Sequence, residues 1–228
     1  MTTTSSTSKF IVADDHPLFR EALSQSIHQC VDNAQVVTAD SLASLQAVVE
    51  KHADADLLLL DLHMPGVQGF SALVYLSGRH ETLPTVIVSA SEDPAIMRRA
   101  LELGASGYIP KSSPIAVIGG AIRAVLDGEV WLPDGVEYGD AQMSGEAAGV
   151  ANALATLTPH QFRVLQMLGE GLMNKQIAYQ LGVSEATIKA HVTAVLRKLN
   201  VTNRTQAVVA ISQLNIDDPS ADLPAMAD

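Results

Sequence analysis

Only one cysteine, Cys30, occurs in the 228 residues, so no internal disulfide can brace the chain and a reducing compartment suits it. No stretch approaches the roughly 18 consecutive apolar residues of a membrane span. Residues 1–8 are rich in Thr and Ser but lack a basic start or an apolar segment, which argues against a secretory signal. They are expected to be a disordered lead-in, and the chain to be cytoplasmic. Bases are scarce too: 14 Lys and Arg face 25 Asp and Glu, a net charge of −11. Such a balance looks wrong for a nucleic-acid partner. It is unevenly distributed, however. Residues 9–127 carry −6, residues 128–153 carry −5 and residues 216–228 carry −4, whereas residues 154–215 carry +4. Local charge is what a phosphate backbone senses.

The hydrophobic fraction of 47% can build a core, and the length allows one large domain or two smaller ones. In the first half, short apolar runs at Phe10–Ala13, Gln35–Thr38, Leu57–Leu60, Thr85–Val88 and Gly107–Ile109 alternate with segments of helical period. The first, third and fourth runs are almost continuously apolar, as strands covered on both faces are. Five such strand–helix units predict an α/β fold with a doubly wound parallel sheet over residues 9–127. Residues 128–153 are acidic and punctuated by glycines, which reads as a linker, with room for a short helix at Gly145–Ala155. After Thr158 four helices are expected, opened by Thr158-Pro159, Asn174, Ser184 and about Arg204, and stopping near Gly169, Gly182, Leu199 and Leu214. They make a small all-α domain at 154–215. Residues 216–228, acidic and with two prolines, are expected to be a disordered tail.

Three strand ends deliver chemistry. Asp14 and Asp15 end the first run, Asp61 ends the third, and Lys111 follows the fifth. In a parallel α/β sheet those ends share one edge, where such sheets place their sites. Carboxylates that close repel one another unless a divalent cation neutralises them, and hard oxygen donors favour Mg²⁺. Taken singly, each residue has an ordinary role: Asp15 as a helix cap, Lys111 as a solvated surface lysine, Ser89 as a strand-end hydroxyl. Their joint order along five strand–helix units favours a site.

The stretches Ile11-Val12-Ala13-Asp14-Asp15-His16-Pro17, Leu59-Leu60-Asp61-Leu62-His63-Met64-Pro65-Gly66, Val88-Ser89-Ala90 and Gly104 to Lys111 resemble the receiver domain of bacterial response regulators, a flavodoxin-like fold. The resemblance implies Asp61 as phosphoryl acceptor and Asp15 as a direct Mg²⁺ ligand. It implies Asp14 as a ligand through water and the backbone carbonyl of His63 as a further ligand. By the same resemblance Lys111 pairs with the acyl phosphate, Ser89 bonds one of its oxygens, and Tyr108 swings inward as the switch aromatic. The His63 ring is expected to screen attacking water. A rival, an aspartyl-phosphate hydrolase of the haloacid dehalogenase type, needs a second Asp two residues after the nucleophile. That position is His63, so the chain is not read as an enzyme.

The stretch Leu157-Thr158-Pro159, Gly171 to Ala178, Leu181-Gly182-Val183-Ser184, Thr187 to Val192 and Lys198-Leu199 resembles the LuxR/NarL-type helix-turn-helix. From Ser184 on, Ile188, Val192, Val195, Leu196 and Leu199 share one face, leaving Ala190, Thr193 and Arg197 opposite. By resemblance Lys189, Ala190 and Thr193 reach base edges, while Asn174, Lys175, Thr187, Arg197 and Lys198 contact phosphates. By that resemblance, His160-Gln161 stands where the family usually has Arg-Glu, so a structural ion pair is expected to be missing. Thr193 stands where several relatives have a second base. Together these readings imply a two-component regulator: a sensor histidine kinase or a small acyl phosphate modifies Asp61, and a homodimer acts on double-stranded DNA and on the transcription machinery. A regulator of the same fold that works without phosphorylation is the alternative. The opposite charges of the two halves predict that the acidic half packs near the recognition helix and competes with DNA.

Overall fold

The computed structural model describes residues 7–136 and 145–212. The expected tail at 216–228, most of the lead-in, and the middle of the linker lie outside the described residues. Five short strands form the sheet: β1 Lys9–Ala13, β2 Gln35–Ala39, β3 Leu57–Asp61, β4 Thr85–Ser89 and β5 Gly107–Pro110. All are parallel, in the order β2-β1-β3-β4-β5. Every residue of β3 and β4 is buried, because helices cover both faces. The reversal of order beside β1 puts the carboxyl ends of β1 and β3 side by side, with Ala13 level with Leu60.

The helices α1 Pro17–Cys30 and α5 Ile115–Leu126 cover one face, and α2 Leu42–Lys51, α3 Ser71–Arg79 and α4 Pro94–Glu102 cover the other. Proline at the first turn of α1 and α4 lacks an N–H where none is needed. Helix α3 starts only at Ser71, ten residues after Asp61. The preceding turn needs Gly66 (φ 79°) and Gly69 (φ 51°) in left-handed conformations, so it cannot be helical.

The linker is not uniformly irregular. Trp131 pairs in parallel with Gly107, so its carbonyl accepts from the Tyr108 N–H (3.0 Å) and its own N–H donates to Ser106 O (3.2 Å). This caps the free edge of β5. Helix α6, Gly145–Ala155, forms where the sequence left room for one.

Four helices follow: α7 Pro159–Gly169, α8 Asn174–Leu181, α9 Glu185–Lys198 and α10 Arg204–Ser212. Thr158 and Gln161 close a reciprocal cap on α7. Gly182 (φ 66°) ends α8 in a left-handed turn, and the Ser184 hydroxyl caps α9. Arg204 donates to the carbonyls of Leu168 (3.2 Å) and Leu172 (2.7 Å), satisfying acceptors at the end of α7.

The two halves share one apolar core. Leu154, Leu157, Phe162 and Leu165 pack into the same buried cluster as Leu73, Tyr75 and Leu76 of α3. Tyr75 and Phe162 stack with ring centroids 4.2 Å apart. A Cβ added at Gly78 would collide with that of Ala155, so α3 and α6 touch through these two small residues.

Candidate functional site

The carboxyl ends of β1, β3 and β5 bring Asp14, Asp15, Asp61 and Lys111 together. Asp14 and Asp61 are fully buried. Lys111 Nζ lies 2.8 Å from Asp61 Oδ2 and 2.8 Å from Asp14 Oδ2. Burial pushes the Asp61 carboxyl above its ordinary range; Lys111 opposes that shift and Asp14 adds to it. For Lys111 burial alone would lower the value, but Asp61 and Asp14 together outweigh it and hold the ammonium above its usual range. The lysine is thus a fixed cation at neutral pH.

The ligand atoms of Asp14, Asp15, His16 and Asp61 all lie within 4.8 Å of one another. Asp14 Oδ2 and Asp15 Oδ1 are buried without a hydrogen bond of good geometry; each has instead a nitrogen nearby, Lys111 Nζ at 2.8 Å and His16 Nδ1 at 2.7 Å. Buried carboxylate oxygens left in that state suit a hard divalent cation. Asp61 Oδ1 accepts the His63 N–H at 3.1 Å, which turns the chain sharply after the strand. Ser89 is buried at the end of β4, where its Oγ accepts the Ser91 N–H at 3.3 Å. Tyr108 is already inward: it is fully buried, and its hydroxyl donates to Ser91 O at 2.9 Å. The inward position is the one the resemblance assigns to the switch aromatic.

Three neighbours were not legible as site residues. His16 joins the acidic cluster through a nitrogen that a Pro-capped helix start brings back over Asp15. Phe19 lies under the ammonium of Lys111, 5.1 Å from Nζ to the ring centre. Arg20 donates to Asp14 O at 2.6 Å. His16 is the N-cap of α1 and the other two sit on its first turn, so the signal was their spacing after Asp15.

In the C-terminal helices, Lys175, Thr187, Lys189, Ala190, Thr193 and Arg197 are exposed and Asn174 is half-buried. The buried side of α9 is Ile188 and Val195. The outward face therefore carries small residues, hydroxyls and bases, the lining a major groove can admit. Lys198 is different. Its Nζ donates to Thr156 O (2.6 Å) and to Gln161 Oε1 (2.8 Å), so the ammonium already has two acceptors within the domain. Gln161 thus serves Lys198 as a neutral acceptor.

The expectation that the acidic half covers the recognition helix is not met. Among the described residues, the contact with the first half runs through α6 and α7, and the outward face of α9 is exposed. Apolar burial of Phe162, Leu165 and Leu157 against α3 decides the docking, not the opposite net charges, since surface charges are screened by water and salt.

Known proteins agree with this architecture. Residues 10–123 match the response regulator receiver domain, and residues 155–211 match the bacterial regulatory proteins of the luxR family. The glycerol metabolism activator of Pseudomonas putida is 41% identical over 212 residues, covering 91% of this chain and 96% of that protein. The nitrate/nitrite response regulator NarP of Escherichia coli K12 is 32% identical, covering 89% and 94%. Among solved structures, RcsB of Salmonella enterica serovar Typhimurium, bound to a promoter in the presence of the phosphomimetic BeF3⁻, aligns with a TM-score of 0.54 at 25% identity, over 92% of this chain and all of that one. No helix among the described residues is long and apolar enough to cross a membrane. The chain belongs to the response regulators of two-component systems that join a receiver domain to a LuxR-type DNA-binding domain.

Proposed function

We propose that Asp61 accepts a phosphoryl group from a sensor histidine kinase and that this modification controls how the C-terminal helices engage operator DNA. The observation that carries the reading is the Asp61–Lys111 pair at 2.8 Å beside buried acceptors of Asp14 and Asp15 that lack good hydrogen bonds. Asp14, Asp15, Asp61 and the His63 carbonyl would hold Mg²⁺, which supplies the neutralising charge that phosphoryl transfer depends on. His16 would have to leave the carboxylates, since imidazole is a poor match for so hard an ion. Lys111 pairs with the transferred group, and Ser89 and Tyr108 register it. A small acyl phosphate serves as a test donor: its phosphoryl group passes to the Asp61 carboxylate and its own carboxylate leaves. Labelling in Mg²⁺ that is lost on chelation and in Asp61→Asn supports the reading; labelling that survives in Asp61→Asn overturns it.

Lys189, Ala190 and Thr193 are the base-reading positions in this proposal, and Asn174, Lys175, Thr187 and Arg197 contact phosphates. The working unit is a homodimer on DNA, acting in the cytoplasm on the transcription machinery and not as a hydrolase. Its functional units are 9–127 and 154–215, joined by 128–153. A second reading, DNA binding that does not depend on phosphorylation, draws on the exposed outward face of α9.

A further inference from the structure

We propose that the loop between β3 and α3 is a direct tether from Asp61 to the DNA-binding domain, with Gln68 and Gln166 as its positioning residues. This rests on Asp61 being the phosphoryl acceptor and adds the route by which its state reaches the reader. Seven residues after Asp61, the Gln68 side chain donates from Nε2 to the main-chain carbonyl of Gln166 on α7, at 2.9 Å. The Gln166 side chain in turn donates to Ser71 Oγ at 2.7 Å, and Ser71 Oγ donates to Gln68 O at 2.6 Å. Three residues thus close a ring of hydrogen bonds across the interface. Ser71 and Gln166 within it are almost fully buried.

The loop leading to the ring has little freedom to absorb a movement at Asp61. Leu62 and Met64 are anchored in the core. The Leu42 N–H donates to Pro65 O at 3.0 Å, and the Val67 N–H donates to Met64 O at 2.9 Å. Space for Gln68 depends on the DNA-binding half, because a Cβ at Gly169 would collide with the Gln68 amide. At Asp61 itself, Oδ1 already holds the His63 N–H, so changing that carboxylate changes a bond at the root of the loop.

The interface is also built to part. Gln166 Oε1 and the Tyr75 hydroxyl are buried there without a hydrogen-bond partner. Each such group loses hydration on docking and regains it on opening, which offsets part of the apolar gain. A contact close to balance can be biased by one bond, as a two-state element requires. Tyr108, by contrast, directs its hydroxyl to Ser91 O, within the first half of the chain.

Hydrogen exchange of the α3 and α7 amides in the full-length chain tests the tether, with beryllofluoride and Mg²⁺ as the probe of the acceptor site. In the wild type, the probe should raise exchange in both helices. In Gln68→Ala, and separately in Ser71→Ala, exchange there should be about fivefold faster before the probe is added, the scale of one lost net hydrogen bond. Adding the probe should then change it by less than about twofold, well under that one-bond scale. Protection of the Asp61 and Lys111 loops by beryllofluoride should persist in both variants. If the probe protects those loops but raises α3 and α7 exchange alike in wild type and variants, from the same baseline, the tether is wrong while the acceptor assignment stands. If the probe protects no loop even in the wild type, the acceptor assignment itself fails.

Discussion

Lys198 donates to Gln161 Oε1 at 2.8 Å and to Thr156 O at 2.6 Å, tying the end of α9 to the start of α7. Lys198→Ala should therefore lower the stability of the DNA-binding half by about 1 kcal/mol, the net worth of a charge-assisted bond discounted for its partial exposure. Gln161→Glu, which makes the contact an ion pair, should leave stability equal or slightly higher. Urea titration of both variants decides the point. A Lys198→Ala chain of unchanged stability but weaker DNA binding would return Lys198 to the phosphate contacts.

Asp61 carries a stability consequence of its own. Burial raises its folded pKa, so the ionised form costs stability at neutral pH, a cost absent below the unfolded carboxylate value of about 3.9. The cost grows as pH rises through the folded value. Asp61→Asn should thus melt higher than wild type at pH 7 in a chelator, with the gap closing toward pH 4. Mg²⁺ should raise the melting temperature of the wild type and much less that of the variant. Equal response to Mg²⁺ in both would remove Asp61 from the metal site.

The Tyr75–Phe162 stack and the Gly78–Ala155 contact predict two ways of opening the molecule. Gly78→Leu leaves no room for α6 against α3. Phe162→Ala leaves a hole of the kind that costs about 3 kcal/mol in a core. Both should enlarge the radius of gyration in small-angle scattering while circular dichroism stays helical. An unchanged radius in Gly78→Leu would mean that the halves do not dock through these helices in solution.

Because the outward face of α9 is open, the unphosphorylated chain should already bind DNA. On a single half-site, phosphorylation should tighten binding by less than about fivefold, below the usual range of allosteric coupling. On two half-sites the gain should be larger, since pairing then contributes. Lys189→Ala should relax sequence preference, whereas Arg197→Ala should weaken all sequences alike and flatten the salt dependence. Titrations at one salt concentration suffice. Failure of the unmodified chain to bind a half-site would show that the receiver shields DNA by its bulk.

Strand ends were legible because β1, β3 and β4 are apolar runs closed by acids or a hydroxyl, and parallel topology gathers such ends on one edge. The four C-terminal helices were legible from Thr158, Ser184 and Gly182, whose roles are local. Docking was not. Phe162 on α7 reads as one more core residue of its own domain, and Tyr75 as one of the receiver; nothing local says that they meet. Charge suggested the recognition helix as the contact, but apolar area and the small pair Gly78 and Ala155 settle it elsewhere. The orientation of Lys198 was hidden for a similar reason, since its acceptor lies 37 residues away on another helix.

Helix α3 is buried over six consecutive residues, Ser71 to Leu76, with the sheet on one side and the second half of the chain on the other. Its composition is therefore fitted to one output domain. A receiver cut from this protein would present Tyr75 and Leu76 to water and should self-associate. Grafting a different effector behind residue 127 would demand a resurfaced α3 before the chimera stayed soluble. The interchangeable-parts view of such regulators meets its boundary at that helix.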